Sequence, residues 1–245
     1  MKPAPGLLAA FTALALVACK KAPAPVVAPS QPEPTAAVSA DIPVLPVSDG
    51  DTWIYNVRLE IPADAVSPGS EAINSTYEIT RRYIGKLSPG AGLPEVDCFE
   101  LSAPDYPPTR ELVEIHEDRI LLRGSMMKDD SGWKVFWQDP PIPFLIAGVQ
   151  GGIKFPELSS NNREIVRNIQ FIAREDVAVP AGNFPAIRML MTGLDGEIEF
   201  RRTIWFAPRI GIVREEKSRF GKEKLLTREI HEMMSAPKKQ PAVDR

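Results

Sequence analysis

The sequence predicts an all-β, mainly antiparallel domain, a curved half-barrel of about ten strands with an irregular covering loop; a two-sheet sandwich is the alternative. Three observations carry this. Apolar and polar residues alternate with period two over many short runs, the runs are separated by brief turn signals, and none of the helical crossovers that a parallel sheet needs lies between them.

The first run shows the pattern. Over Thr52 to Ile61, the residues Trp53, Tyr55, Val57, Leu59 and Ile61 fall on one side and Thr52, Asn56, Arg58 and Glu60 on the other. Comparable runs span 76–87, 96–102, 111–116, 119–126, 133–138, 164–179, 184–192, 197–206, 212–220 and 223–233. Between them stand Ser88-Pro89-Gly90, Ser131-Gly132, Ala181-Gly182-Asn183, Asp195-Gly196 and Gly221-Lys222. Asp-Gly between two alternating runs points to a type I′ hairpin, which needs positive φ at both central residues. The exception is Gln138 to Leu158, with four prolines and three glycines around Ile142, Phe144, Leu145 and Ile146. Its composition predicts a covering loop with one helical turn, either plugging the open end of the sheet or meeting a ligand or partner.

The ends of the chain give it an address. An uncharged apolar stretch from Leu7 to Ala18 follows Lys2 and is shorter than the ~20 residues of a membrane-spanning helix, which is the shape of a secretory signal. Its end, Leu16-Val17-Ala18-Cys19, resembles the lipobox of bacterial lipoproteins, in which the cysteine is lipidated and becomes the new N-terminus. That resemblance implies residues 1–18 as signal peptide, a lipid on Cys19 and a membrane as partner. Lys20, rather than aspartate, in the next position implies the outer membrane, facing the periplasm. Residues 19–46 carry seven prolines among Ala and Val and read as an extended linker at ~3.1 Å per residue; 47–234 read as the β domain and 235–245 as a disordered tail.

Charge and cysteine content narrow the function. Without Lys2, the 29 basic and 32 acidic side chains leave a net charge near −4, which argues against nucleic acid as a partner. With Cys19 lipidated, Cys98 has no intrachain disulfide partner, so the core itself must hold the domain together.

Three further segments carry a family resemblance. Asp51-Thr52-Trp53-Ile54-Tyr55, Val179-Pro180-Ala181-Gly182-Asn183-Phe184 and Trp205-Phe206-Ala207-Pro208-Arg209-Ile210-Gly211-Ile212-Val213 resemble bacterial envelope proteins of uncharacterised families. Those families are similar in turn to the lipoprotein carriers LolA and LolB. The resemblance implies a curved antiparallel sheet with an apolar concave face and says little about the ligand; the same segments also read plainly as turns between strands.

Motifs for catalysis are weak. His116 and His231 each precede a glutamate without the second histidine of a helical zinc site, and they read as solvent-side residues at strand ends. Ser125 and Lys128 have the spacing of a serine acyl-enzyme motif but follow a strand instead of opening a helix. Glu197 and Glu199 share a face with Arg201, so ion pairing on the wet side of a hairpin accounts for all three. Cys98, flanked by Asp97 and Glu100, reads as an inert buried thiol. Trp133, Trp137 and Trp205 are less easily placed, because the period puts apolar residues on both faces around them. No catalytic residue, metal or cofactor is expected. The expected function is non-enzymatic: a membrane-anchored envelope lipoprotein binding an apolar or lipidic ligand in its curved sheet, with Trp53, Tyr55 and Phe144 as the candidate lining. The alternative is an assembly module that binds another envelope protein.

Overall fold

The computed structural model describes residues 44–66, 69–146, 151–154 and 164–237. Twelve strands follow one another: β1 (Thr52–Ile61), β2 (Ile73–Leu87), β3 (Val96–Ala103), β4 (Tyr106–Ile115), β5 (Arg119–Asp129), β6 (Gly132–Ile146), β7 (Gly152–Lys154), β8 (Glu164–Val179), β9 (Gly182–Asp195), β10 (Ile198–Ala207), β11 (Gly211–Gly221) and β12 (Lys224–Ser235). A short 3-10 turn at Ala63–Ala65 is the sole helical element among the described residues. All twelve strands lie in one open antiparallel sheet, in the order β6-β5-β4-β3-β2-β1-β12-β11-β10-β9-β8-β7. The half-barrel is therefore realised and the two-sheet sandwich is not.

That order divides the sheet into two meanders, β1–β6 and β7–β12. Among the described residues the β1–β12 ladder alone joins them, with Asn56 opposite Glu232, Val57 opposite His231 and Leu59 opposite Glu229. The two edges, β6 and β7, are consequently neighbours in sequence. The sheet curves far enough that Phe144 on β6 lies 5.3 Å from the Arg202 guanidinium on β10. Two glycines permit close approaches that any Cβ would block. At Gly124, with φ of +135°, a Cβ would sit 1.9 Å from the Phe136 carbonyl oxygen, at an irregularity in β5–β6 pairing; at Gly193 it would sit 2.1 Å from the Ile165 carbonyl oxygen.

The hairpins differ in detail from the expected turns. Asp195 pairs with Ile198, so the two-residue loop is Gly196-Glu197, and of these only Gly196 has positive φ. The geometry with positive φ at both central residues occurs instead at Lys222 and Glu223, between β11 and β12. At the β5–β6 turn, Asp129 Oδ1 accepts hydrogen bonds from the Ser131 amide at 2.8 Å and hydroxyl at 2.6 Å.

The region expected as a covering loop proves to be largely strand up to residue 146. Gln138 to Ile146 completes β6, and Gly152–Lys154 forms β7; residues 147–150 and 155–163 lie outside the described residues. Pro140, Pro141 and Pro143 had argued against a strand, yet β6 is an edge, where a missing amide donor costs the ladder nothing on the open side.

The core lies on the concave face. Trp53, Tyr55, Val57, Phe99, Ile204, Phe206 and Met233 belong to one cluster of buried side chains drawn from both meanders. Trp53 meets Phe99 edge-on with ring centroids 5.7 Å apart. Val44 and Leu45, expected as the end of the linker, are buried in this cluster. The Val44 amide donates to Glu117 O at 3.1 Å, and its carbonyl accepts from the Arg209 amide at 3.0 Å, so this segment bridges the two meanders at one end of the sheet. Residues 1–43, which include the signal, Cys19 and most of the linker, lie outside the described residues, as do 238–245 of the tail.

A smaller cluster of Val96, Cys98, Leu112 and Met126 packs separately beneath Trp133, Val135 and Trp137 of β6. Cys98 is fully buried there, and burial pushes its thiol up to about 11. Iodoacetamide should therefore label Cys98 only as the domain unfolds, and the melting temperature should be the same with and without reductant. Rapid labelling of the folded protein would show that this second cluster does not form.

Candidate functional site

The inner face of the sheet carries charge as well as apolar surface. Arg81 on β2 pairs with Glu111 on β4, its Nη2 2.9 Å from Oε2. On the other meander, Arg202 of β10 pairs with Glu215 of β11, and Lys217 Nζ lies 3.4 Å from the other Glu215 oxygen. His231 of β12 stands opposite Glu215 in the ladder and within 3.1 Å of Glu229 on its own strand. Arg81, Glu111, Arg202, Glu215, Lys217 and His231 line one small cavity with Tyr55 and Ile212, whose free space is about 30 Å³. By the measure in which one water needs roughly 10–15 Å³, that is room for about two.

Burial opposes ionisation of these carboxylates, but their partners outweigh it. For Glu215 burial acts upward, and the charges of Arg202, Lys217 and His231 more than offset it, leaving the carboxyl well below its ordinary range. Glu111 is likewise raised by burial and held down overall by Arg81, Arg202 and Lys217. Glu229 is lowered chiefly by its hydrogen bond to His231. The cluster is thus a compensated ionic lattice spanning both meanders. His231 is buried within it rather than solvent-side as the sequence implied, because β12 sits in the middle of the sheet beside β1.

A second feature is the slot between the two edges of the sheet. Phe144 and Ile146 of β6 face Ile153 of β7, Ile169, Phe171 and Arg174 of β8, and Ile187 and Met189 of β9 across a space of about 30 Å³. Among the described residues no backbone ladder joins β6 to β7, and the seam between them is lined by side chains.

The three residues expected to line a ligand cavity separate. Phe144, 8% exposed, borders the slot and also a neighbouring space of about 20 Å³ beneath Leu45. Trp53 and Tyr55 belong to the same core cluster as Phe144 but do not reach the slot. Their polar tips are engaged: Trp53 Nε1 donates to Ile210 O at 2.6 Å, and the Tyr55 hydroxyl donates to Ile212 O at 2.9 Å. Burial pushes the Tyr55 hydroxyl well above its ordinary value. Both residues hold β1 against the start of β11.

The other sequence candidates are placed as follows. His116 is exposed and pairs with Glu114 at 3.2 Å. Ser125 and Lys128 both lie on strand β5, where residues three apart point to opposite faces. Glu199 pairs with Arg201 at 3.0 Å on the exposed face, and Glu197 sits in the preceding turn. Trp205 Nε1 donates to Glu175 at 2.7 Å. Among the described residues, no three His, Cys, Asp or Glu side chains gather as a metal site would require.

Acid should act on this lattice with a defined sign. Since Glu111, Glu215 and Glu229 have depressed values in the folded state, the stability they contribute is fully present above the ordinary 4.5 and is lost as pH falls through those lower values. Glu215→Gln removes the countercharge of Arg202 and Lys217 and is expected to cost about 3 kcal/mol at neutral pH. Urea unfolding of both proteins from pH 7 to pH 3 checks this: the variant's stability should vary less over the acid limb.

No family model matches the chain, and no curated protein matches it in sequence. Two solved structures are similar to it. One is a protein assigned as exported, with a YmcC-like fold, from Bacteroides fragilis, at 15% identity and a TM-score of 0.43 over 80% of this chain and all of that one. The other is a protein assigned as a lipoprotein from Parabacteroides distasonis, at 12% identity and a TM-score of 0.46 over 80% of this chain and 98% of that one. The fold described above rests on the strand ladder of this chain itself.

Proposed function

We propose that this protein is a lipoprotein of the bacterial cell envelope, held to a membrane by a lipid on Cys19, whose domain binds an apolar or lipidic ligand at the seam between the sheet edges. The address is supported by the apolar stretch ending in Leu16-Val17-Ala18-Cys19, and Lys20 favours the outer membrane and a periplasmic orientation. The binding reading rests chiefly on one observation. The slot is lined by apolar side chains from both edges of the sheet, yet no backbone hydrogen bonds join those edges among the described residues.

The free space of about 30 Å³ is too small for an acyl chain as the slot stands. Entry of a chain requires β6 to part from β7–β9. That motion exposes apolar side chains but breaks no ladder among the described residues, and each buried methylene of the incoming chain returns ~0.8 kcal/mol. The rest of the concave face is occupied by the domain's own core and ionic lattice, which supports the seam over the middle of the sheet as the binding region.

Two experiments separate address from binding. Cys19→Ala should abolish labelling by a fatty-acid analogue and leave the precursor uncleaved; persistent labelling overturns the anchor. The processed chain bearing Cys19→Ser should bind a fluorescent fatty acid saturably, and Phe144→Asp should weaken this at least tenfold. Because Phe144 is also core, Ile153→Asp on the half-buried edge β7 repeats the test with less risk to folding. Absence of saturable binding by the unmutated domain would leave the assembly module as the working account.

A further inference from the structure

We infer that the ligand of the seam is a single acyl chain ending in an anion, with Arg174 holding its head; this rests on the apolar-ligand reading above and narrows it to a chemical class. Arg174 stands opposite Ile187 in the β8–β9 ladder, so the two share a face, and both border the slot. Arg174 is the one charged side chain in a lining that is otherwise aliphatic, aromatic, proline or glycine among the described residues.

Elsewhere on the inner face cations are matched: Arg81 by Glu111, and Arg202 and Lys217 by Glu215. Arg174 is not. Its side chain makes no hydrogen bond or ion pair among the described residues. The adjacent Glu175 is taken by Arg188 at 3.5 Å and by the Trp205 indole at 2.7 Å. Arg188 follows Ile187 in a strand and so lies on the opposite face from the slot, which carries Glu175 away from Arg174. Asp176, two residues on, forms no ion pair with it.

An uncompensated guanidinium at the solvent-exposed rim of an apolar slot meets the two needs of an anionic amphiphile. It offers charge-assisted hydrogen bonds to a carboxylate or phosphate, and its exposed position keeps that head in water while the tail enters between the edges. The narrow seam favours one chain over two. A neutral lipid would leave the arginine without use, and a cationic amphiphile would be repelled.

Calorimetric titration of the processed chain bearing Cys19→Ser, at pH 8, with dodecanoate, dodecanol and dodecyltrimethylammonium tests the inference. Dodecanoate is expected to bind at least tenfold more tightly than dodecanol, and the cation more weakly than either. Arg174→Met, an exposed position whose change should leave circular dichroism and melting unaltered, is expected to bring dodecanoate to the level of dodecanol without moving dodecanol. Equal affinities in the unmutated chain, or a carboxylate preference that survives Arg174→Met, overturn the inference while leaving the apolar-ligand reading in place. Preference for dihexanoylphosphatidylglycerol over dodecanoate overturns the single-chain class. Failure of all these amphiphiles to bind overturns the inference and the apolar-ligand reading together.

Discussion

The pairing of β1 with β12 is the constraint from which the rest of the structure follows. Two antiparallel meanders can each form locally from hairpins, but they become one sheet only when the first strand finds the last. That ladder closes a long loop of chain, so its loop-closure entropy exceeds that of the local hairpins. Trp53 and Tyr55 reinforce it from the side, each donating to a carbonyl at the start of β11. Because the ends of the domain meet in the middle of the sheet, its two edges must fall at mid-chain. The seam between β6 and β7 is therefore a topological consequence of how the termini pair.

The same topology determines where polar groups can be tolerated inside. A curved sheet brings strands from the two meanders face to face, and carboxylates or guanidinia placed there lose water unless matched. Glu215 takes both Arg202 and Lys217, and Arg81 takes Glu111 on its own meander. Arg202 also stacks over Phe144 of the edge strand, which ties the lattice to the seam. An ionic interior of this kind adds less stability than an apolar one of equal volume would. It does restrict how the meanders register, since a shift of one residue would strand each charge against apolar neighbours.

Much of this was legible in the sequence, and the failures have specific causes. Strand β1 and the C-terminal hairpins are clear because alternation there is unbroken and their turns carry Gly or Asp. The second half of β6 was hidden by Pro140, Pro141 and Pro143, whose significance depends on whether a strand is an edge. Strand order, which alone settles that, is not written in local pattern. The ionic lattice was missed for a related reason: Glu111, Arg202 and Glu215 look like the wet face of alternating strands. Register irregularities at Leu112/Val113 and at Trp205/Phe206 change which residues face inward, and a period-two reading carries no record of a bulge. Phe144 was found by its apolar neighbourhood, whereas Arg174 carried no signal beyond being one arginine in a long alternating run.

A single sheet has two faces, and the larger core cluster of this one lies on the inner face. The convex face is dealt with in another way, and the solution recurs. Arg110 stacks 4.0 Å over Trp133 while bonding Glu100 at 2.9 Å. Arg123 lies 5.4 Å from the ring centre of Trp137 and bonds Glu114 at 2.5 Å. Arg201 repeats the pattern over Phe220 with Glu199. In each case the guanidinium covers an aromatic face with its flat, weakly hydrated surface and leaves its edge to a carboxylate and water. Beneath the first two, Cys98 and Leu112 become fully buried with no covering helix or second sheet among the described residues. Trp133 and Trp137, around which the period puts apolar residues on both faces, are thus capped by Arg110 and Arg123.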